Sequence, residues 1–352
     1  MTTAPGDSPA ERPILLAPNQ PIRRPYRGGA GIARFRGIAL DRDDVPEDFV
    51  ASVTEVAAGG GVGLTMLDDG RTLRDHIDAD PSAFLGPVDA ARGGEPLPAL
   101  LVKLLDTAER LFVHFHPDDE FAGRHLGCRF GKTEAWYVVD TGPGSGEVFL
   151  GFHRAVAADE VRDWVGRQDA AAMLAAMNRV AVRPGDSLLV PGGLPHAIGA
   201  GVTLIELQEP TDLSILLEWS GYGVTRADAD LGLGLDVALQ ALDRSAWGPE
   251  RLETLRGTRA GVPTSAPVTR VLPPAADPYF RAELVDASTG IEIAADFSIL
   301  IGLDGSATLT TDRARLDLHR GSVVLLPFAA GPARLAGDAR LLRCRPPSAA
   351  PR

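Results

Sequence analysis

His114-Phe115-His116-Pro117, Lys132-Thr133-Glu134 and Pro191-Gly192-Gly193-Leu194-Pro195-His196 hold the side chains best suited to shared chemistry in this chain of 352 residues. Between them they offer His114, His116, Glu134 and His196, three imidazoles and one carboxylate. Neutral imidazole and carboxylate suit zinc, iron, manganese or nickel, so the chemistry in view is that of one bound divalent metal. His114 and His116 lie two apart, and on a strand both side chains point to the same face. A single strand histidine is more often a satisfied core residue than a ligand. The grouping is what marks these positions. His76, His125, His153 and His319 have no such companions and read as structural or exposed, and Asp118, Asp119 and Glu120 read as solvated loop charges.

The elements that must position these groups are short strands punctuated by Gly and Pro. Strands are expected at Phe49–Ala57, Leu100–Leu105 and Leu111–Phe115, the last leading into the first histidines. Ala135–Val139 and Glu147–Phe152 are expected to form a hairpin around the Gly-rich stretch 141–146. Thr72–Ile77 and Pro81–Leu85 read as short helices. Residues 158–178 form the clearest helical region, with Val161, Trp164, Met173 and Met177 as packing residues and Asp169 as a cap. Further strands are expected at Arg179–Val182, Ser187–Val190, Val202–Leu207 and Ser214–Trp219, then a helix at Leu235–Leu242. Residues 1–13 read as disordered, 244–268 as a polar linker, and 346–352 as a tail.

An internal repeat organises the whole. Arg183–His196 reads RPGDSLLVPGGLPH and Arg320–Ala333 reads RGSVVLLPFAAGPA, each with Gly, five residues, then Pro. In the first copy Gly185-Asp186 turns the chain, Ser187–Val190 is a buried strand, and Pro191 to Gly193 turn it again so that the next strand presents His196 inward. The second copy lacks the histidine. Two related β-barrels follow: a metal-binding unit over 14–225 that includes the helical insertion, and a barrel over 269–345 without a metal site. A helical segment and linker over 226–268 joins them.

A formal charge of -12 argues against nucleic acid or anionic membrane as a partner. An anionic ligand would need positive charge gathered locally. The composition, 45% hydrophobic with mean hydropathy +0.01, is that of a soluble globular protein. Two cysteines, Cys128 and Cys344, form no CxxC pattern and fit a reducing compartment. Met1–Glu11 is polar without an apolar core, and no apolar run reaches membrane-spanning length, so a cytoplasmic monomer or homodimer is expected.

The motifs together resemble type I phosphomannose isomerases, a family of the cupin superfamily. The turn Gly185-x5-Pro191-x-Gly193-x2-His196 has the form of the second cupin motif. The segments His114-Phe115-His116-Pro117-Asp118-Asp119, Gly131-Lys132-Thr133-Glu134-Ala135-Trp136 and Pro191 to Gly199 match the family's Q-x-H-P-[ND]-D, G-K-T-E-x-W and P-x-G-x-x-H-A-x in order and spacing. The resemblance covers residues 14–345 and implies a mainly β fold, a double cupin with a helical insertion. It implies one zinc ion per chain, or another divalent metal, on His114 (in place of the family's glutamine), His116, Glu134 and His196. It makes Lys132 a substrate-side group and Glu206 a candidate for proton transfer. The implied reaction is metal-dependent aldose–ketose isomerisation through a cis-enediol, mannose 6-phosphate to fructose 6-phosphate being the family's own. Two positions depart from the pattern. Leu216 stands where the family has an arginine tied to catalysis and phosphate recognition, and Phe112 where a serine is common; Arg226 could replace the arginine only if its loop folds back. A non-catalytic cupin that binds a sugar or sugar phosphate for regulation is the alternative. An iron-dependent dioxygenase is a third reading.

Overall fold

Val, Ile, Leu and aromatic runs between Gly and Pro turns build antiparallel sheets, paired face to face in two units. The computed structural model describes residues 8–347 apart from 23, 40–41, 43–44, 57–58, 91–96, 143–145 and 260–265. In the first unit one five-stranded sheet runs in the order Glu47–Val50, Leu101–Asp106, Thr203–Gln208, Glu134–Asp140, Ser187–Val190. The other five-stranded sheet runs Ile215–Leu216, His114–Phe115, His196–Ile198, Gly146–Phe152, Met177–Val182.

The second unit repeats this order. Its large sheet runs Ile14–Leu15, Val323–Leu326, Ser298–Asp304, Arg340–Arg345, Arg281–Asp286, Val268–Arg270, and its small one Ile291–Ile293, Ala333–Gly337, Ser306–Thr310, Arg315–His319. The registers align as well. Glu134 pairs with Val190 as Ser298 pairs with Leu326, and His114 pairs with His196 as Ile293 pairs with Ala333. Ser298, Ile293 and Ala333 therefore stand where the first unit has Glu134, His114 and His196. The large sheets of the two units pack against each other. Val102, Leu104, Tyr137, Leu189, Ile205 and Leu207 share one core with Ile299, Ile301, Val323, Leu325 and Leu342. This is why Leu101–Asp106 and Thr203–Gln208 are buried along their whole length.

Several expectations need correction. Glu134–Asp140 and Gly146–Phe152 are not a hairpin. Glu134–Asp140 already has Thr203–Gln208 and Ser187–Val190 on its two edges, so the chain crosses to the opposite sheet; residues 143–145 of the crossing lie outside the described residues. The Phe49–Ala57 strand is confined to Glu47–Val50 and is followed by Ala51 at φ 47°. The Leu111–Phe115 strand shrinks to His114–Phe115, because Val113 N–H donates to the Glu218 carboxylate (2.9 Å) rather than to a ladder partner. Helix 158–178 is two helices, Ala158–Arg167 and Ala170–Ala176. They break at Gln168 (φ 54°), and Asp169 caps the second by accepting from Ala172 N–H. Asp118, Asp119 and Glu120 are not loop charges: Asp118 caps a helix over Asp119–Leu126 by accepting from Phe121 N–H at 2.8 Å.

The terminal and linking segments also differ. Ser8 caps a 3-10 turn at Pro9–Glu11 and Ala10 is fully buried, so 8–13 is folded; residues 1–7 lie outside the described residues. Ile14–Leu15 joins the second unit's sheet beside Val323–Leu326, not the first unit. Residues 244–268 are no free linker. They carry a helix at Pro249–Glu253, and Leu189 N–H and Ser187 N–H donate to Leu255 and Thr258 carbonyls, closing the outer edge of the Ser187–Val190 strand. Of the tail, Pro346 accepts from Arg281 and 348–352 lie outside the described residues. Among the described residues no helix is long and apolar enough to cross a membrane.

Candidate metal centre and active site

Three motif segments distant in sequence meet because glycines let their backbones touch. Lys132 N–H donates to Pro117 O at 2.9 Å, and Gly193 N–H to His116 O at 2.7 Å. A Cβ on Gly131 would lie 2.4 Å from Pro117 O, and one on Gly192 would lie 2.9 Å from Asp118 Cα. Gly193 sits at φ +84°, a left-handed turn that only glycine adopts readily. The helix after Asp118 braces the junction, for Asp119 Oδ1 accepts from Gly131 N–H at 2.8 Å.

At this junction His114, His116 and His196 bring ligand atoms within 4.8 Å of one another, all buried. Each ring is oriented by a carbonyl: His114 Nδ1 donates to Phe112 O (3.0 Å), His116 Nδ1 to Leu213 O (2.8 Å) and His196 Nδ1 to Leu194 O (2.9 Å). A carbonyl can only accept, so the proton is on Nδ1 and every Nε2 lone pair faces the shared space. Glu134 joins them. Its Oε2 lies 3.0 Å from His116 Nε2 and its Oε1 3.4 Å from His196 Nε2, while Trp136 Nε1–H fixes Oε1 at 2.9 Å. His196 Nε2 is buried and has no hydrogen-bond partner. An orphaned lone pair among three oriented imidazoles is what a divalent cation fits, and the Glu134 carboxylate stands beside two of them.

The electrostatics agree with a ligand set. Burial, with the neighbouring imidazoles, holds His114 well below its usual pKa. Burial, aided by Lys132, lowers His116 to about 3, and burial lowers His196. All three are neutral near pH 7. Burial works against ionisation of Glu134, but the Lys132 ammonium outweighs it and keeps the carboxylate ionised. Lys132 Nζ donates to His116 Nε2 at 2.9 Å and to Glu134 Oε2, which makes it the positive charge nearest the donor set.

Beside the donor set lies a buried charged cluster. Glu206 and Lys103 are cross-strand partners on the inward face of the large sheet. Lys103 Nζ is 3.7 Å from Glu47, Glu206 and Asp212 alike, and Lys132 Nζ is 3.7 Å from Glu206. Burial, with the Glu134 charge, pushes Glu206 up to about 7. Asp212 is held well below the carboxylate range by Arg24 and Lys103 against the effect of its burial. Arg24 grips Asp212 through two 3.0 Å hydrogen bonds and also reaches Glu47, whose Oε1 accepts from Tyr26 OH at 2.6 Å. Sequence reasoning missed Lys103, Arg24, Glu47 and Tyr26. A lysine inside the apolar strand LVKLLD was a usable signal, since buried lysines need partners. Nothing local marked the others.

A cavity of about 190 Å³ joins the donor set to this cluster. The rest of its wall is mostly apolar, with Leu105, Leu111, Phe112, Ile198, Leu216 and Val224, and adds the Ser214 hydroxyl and the Asp228 carboxylate. Phe112 is wedged edge-on between Tyr26 and Tyr222, ring centroids 6.0 and 5.3 Å away. Leu216 pairs with His114 across the small sheet. Arg226 does not fold back: it is exposed at the start of a short helix, Arg226–Ala229, and Asp228 of that helix lines the cavity instead.

Comparison with known proteins gives a consistent picture. The family model for the mannose-6-phosphate isomerase cupin domain matches residues 274–346, the second barrel. The mannose-6-phosphate isomerase ManA of Bacillus subtilis is 37% identical over 131 residues, 37% of this chain and 39% of that relative's length. The mannose-6-phosphate isomerase of Streptococcus mutans is 28% identical over 248 residues, 69% of this chain and 72% of the relative. The crystal structure of a mannose 6-phosphate isomerase from Bacillus subtilis superposes with a TM-score of 0.71 at 22% identity, covering 95% of this chain and 99% of the other. That last likeness is one of fold.

Proposed function

We propose that this chain is a metal-dependent aldose–ketose isomerase of the type I phosphomannose isomerase family, in the cupin superfamily, acting on a hexose or hexose phosphate through a cis-enediol. The observation that carries the reading is the orphaned His196 Nε2 among His114, His116 and Glu134, one lysine away from a carboxylate whose pKa lies near neutrality.

A divalent cation on His114, His116, Glu134 and His196, zinc by the nature of the donors, would supply Lewis-acid polarisation of the C1 and C2 oxygens. Glu206 is the group that accepts the C2 proton at a carboxylate oxygen and returns it to C1, or the reverse. Its shift toward neutrality lets both forms be populated at working pH. Lys132, between Glu134 and Glu206, donates to the oxygen on which negative charge develops. Lys103 is a positioning residue that holds Glu206 from the neighbouring strand. The apolar side chains of Phe112 and Leu216 give the reacting carbons a poorly hydrated wall to lie against.

The test is a coupled assay on metal-loaded protein with mannose, mannose 6-phosphate and their ketoses, together with metal analysis. His196→Ala is expected to bind less than 0.1 metal per chain and to lose turnover by at least about 10³-fold, since a donor and the site's geometry go together. Absence of turnover on every aldose–ketose pair would sink the enzymatic reading. The family arginine is replaced by Leu216, and this observation favours one second reading, a non-catalytic cupin that binds a sugar for regulation. NMR would then show a bound aldose and no ketose.

A further inference from the structure

The cavity's charges decide what kind of sugar it can hold. Among the described residues that line it, the cations are Arg24, Lys103 and Lys132, and the carboxylates are Glu47, Glu134, Glu206, Asp212 and Asp228. Arg24 and Lys103 are each held by at least two carboxylates, and Lys132 sits at the donor set, where it serves the reacting oxygen rather than a distant phosphate. Arg24 is bound to Asp212 and Glu47, Lys103 lies between Glu47, Glu206 and Asp212, and Lys132 lies between Glu134 and Glu206. Arg110, two residues before Phe112, is not spare either: it makes two 2.7 Å bonds to Glu218.

Apart from the Ser214 hydroxyl beside His116, the rest of the wall offers a phosphate no cation and no free donor among the described residues. Leu216 is buried at the step beside His114, Phe112 is locked between Tyr26 and Tyr222, and Tyr222 OH is spent on Arg110 O at 2.6 Å. The segment over 224–231 adds Val224, Leu231 and the Asp228 carboxylate. A dianion entering here would lie against apolar side chains and an excess of carboxylates in a low-dielectric space. To gain a guanidinium it would have to break the Arg24–Asp212 pair and leave a buried carboxylate alone.

We infer that the substrate is an unphosphorylated sugar: a neutral aldose–ketose pair whose carbon chain packs against Phe112, Leu216 and Val224. This rests on the aldose–ketose reading of the site and narrows its substrate class. The wall rejects charge rather than merely failing to attract it, so discrimination is larger than loss of one contact would give.

The experiment pairs binding with turnover on the full-length, metal-loaded protein. Calorimetric titration and kcat/KM are measured for D-mannose, D-lyxose and L-rhamnose against mannose 6-phosphate. The expected result is that at least one neutral aldose exceeds mannose 6-phosphate by about tenfold or more in affinity and in kcat/KM. Leu216→Arg should move that ratio toward the phosphate by about tenfold or more. Phe112→Ser, which opens the same wall, should move it in the same direction if the arginine variant does not fold. Tighter binding or faster turnover of mannose 6-phosphate by the unaltered protein overturns the inference and leaves the isomerase reading standing. Neutral aldose bound more tightly with no product overturns the isomerase reading and the substrate claim together, leaving a binding site for a neutral sugar. Binding of none of the four sugars overturns the inference.

Discussion

The histidines at positions 114, 116 and 196 do two jobs with two nitrogens. Nδ1 is tied to a backbone carbonyl, so the ring cannot turn, and Nε2 is left as the donor. Because the carbonyl supplies the orientation, the donor atom itself is exchangeable. His114→Gln is expected to keep one metal per chain by elemental analysis, with affinity lower by about tenfold, since an amide oxygen is a poorer donor than imidazole for zinc. A site that empties in this variant would show that His114 does more than donate. Glu206 carries the second residue-scale prediction. Burial and the Glu134 charge raise its pKa to about 7, so it is protonated on the acid side and useless there as a base. The kcat/KM profile should therefore rise with pH on a limb whose midpoint is at or below 7, the bound dication drawing it downward. Glu206→Gln should lower kcat by about 10²–10⁴-fold with metal content unchanged. A flat profile from pH 5 to 8, or a Gln variant with full activity, would remove Glu206 from the reaction.

Elements come together here through backbone contact as much as through side chains. Gly131 and Gly192 bring the Lys132 segment and the Pro191 turn onto the backbone around Asp118, where no Cβ would fit. Gly131→Ala should cost roughly 1–3 kcal/mol by overpacking and pull Lys132 away from Glu134 and Glu206. Gly123, exposed in the Asp119–Leu126 helix, has only Cys128 O near its Cβ direction, at 3.8 Å. Gly123→Ala should leave the melting temperature equal or higher by the equivalent of about 0.5–1 kcal/mol. Equal thermal shifts for the two variants would refute the close-approach argument. The three ligand segments were legible in the sequence because those close approaches demand particular residues at fixed offsets. The Asp119–Leu126 helix was not. Its signals, an aspartate cap and a short apolar stripe of Phe121 and Ala122, are the same residues that a loop uses. The false hairpin has a similar cause: two apolar runs around a Gly-rich link look alike whether they pair or cross between sheets.

The whole molecule is two barrels with one shared core. Val102, Leu104, Ile205 and Leu207 of the first unit are covered by Ile299, Ile301, Val323 and Leu325 of the other, and the N-terminal strand Ile14–Leu15 is stitched into the second unit's large sheet. Full-length protein should melt in a single calorimetric transition, and a chain ending at residue 268 should aggregate because that face is bared. Two separated transitions would mean the barrels are independent. The repeat explains why the second barrel keeps the shape and loses the chemistry: Ser298, Ile293 and Ala333 fill the places of Glu134, His114 and His196. From the sequence alone come the candidate donors His114, His116, Glu134 and His196, the family resemblance and the duplicated barrel, because metal ligation and tight turns impose residue identity at set spacings. The tertiary structure alone decided that Lys103, Arg24, Glu47 and Asp212 surround Glu206, and that every one of those cations is already paired. Such pairings join strands distant in sequence, through side chains whose neighbours exist only once the sheets have packed.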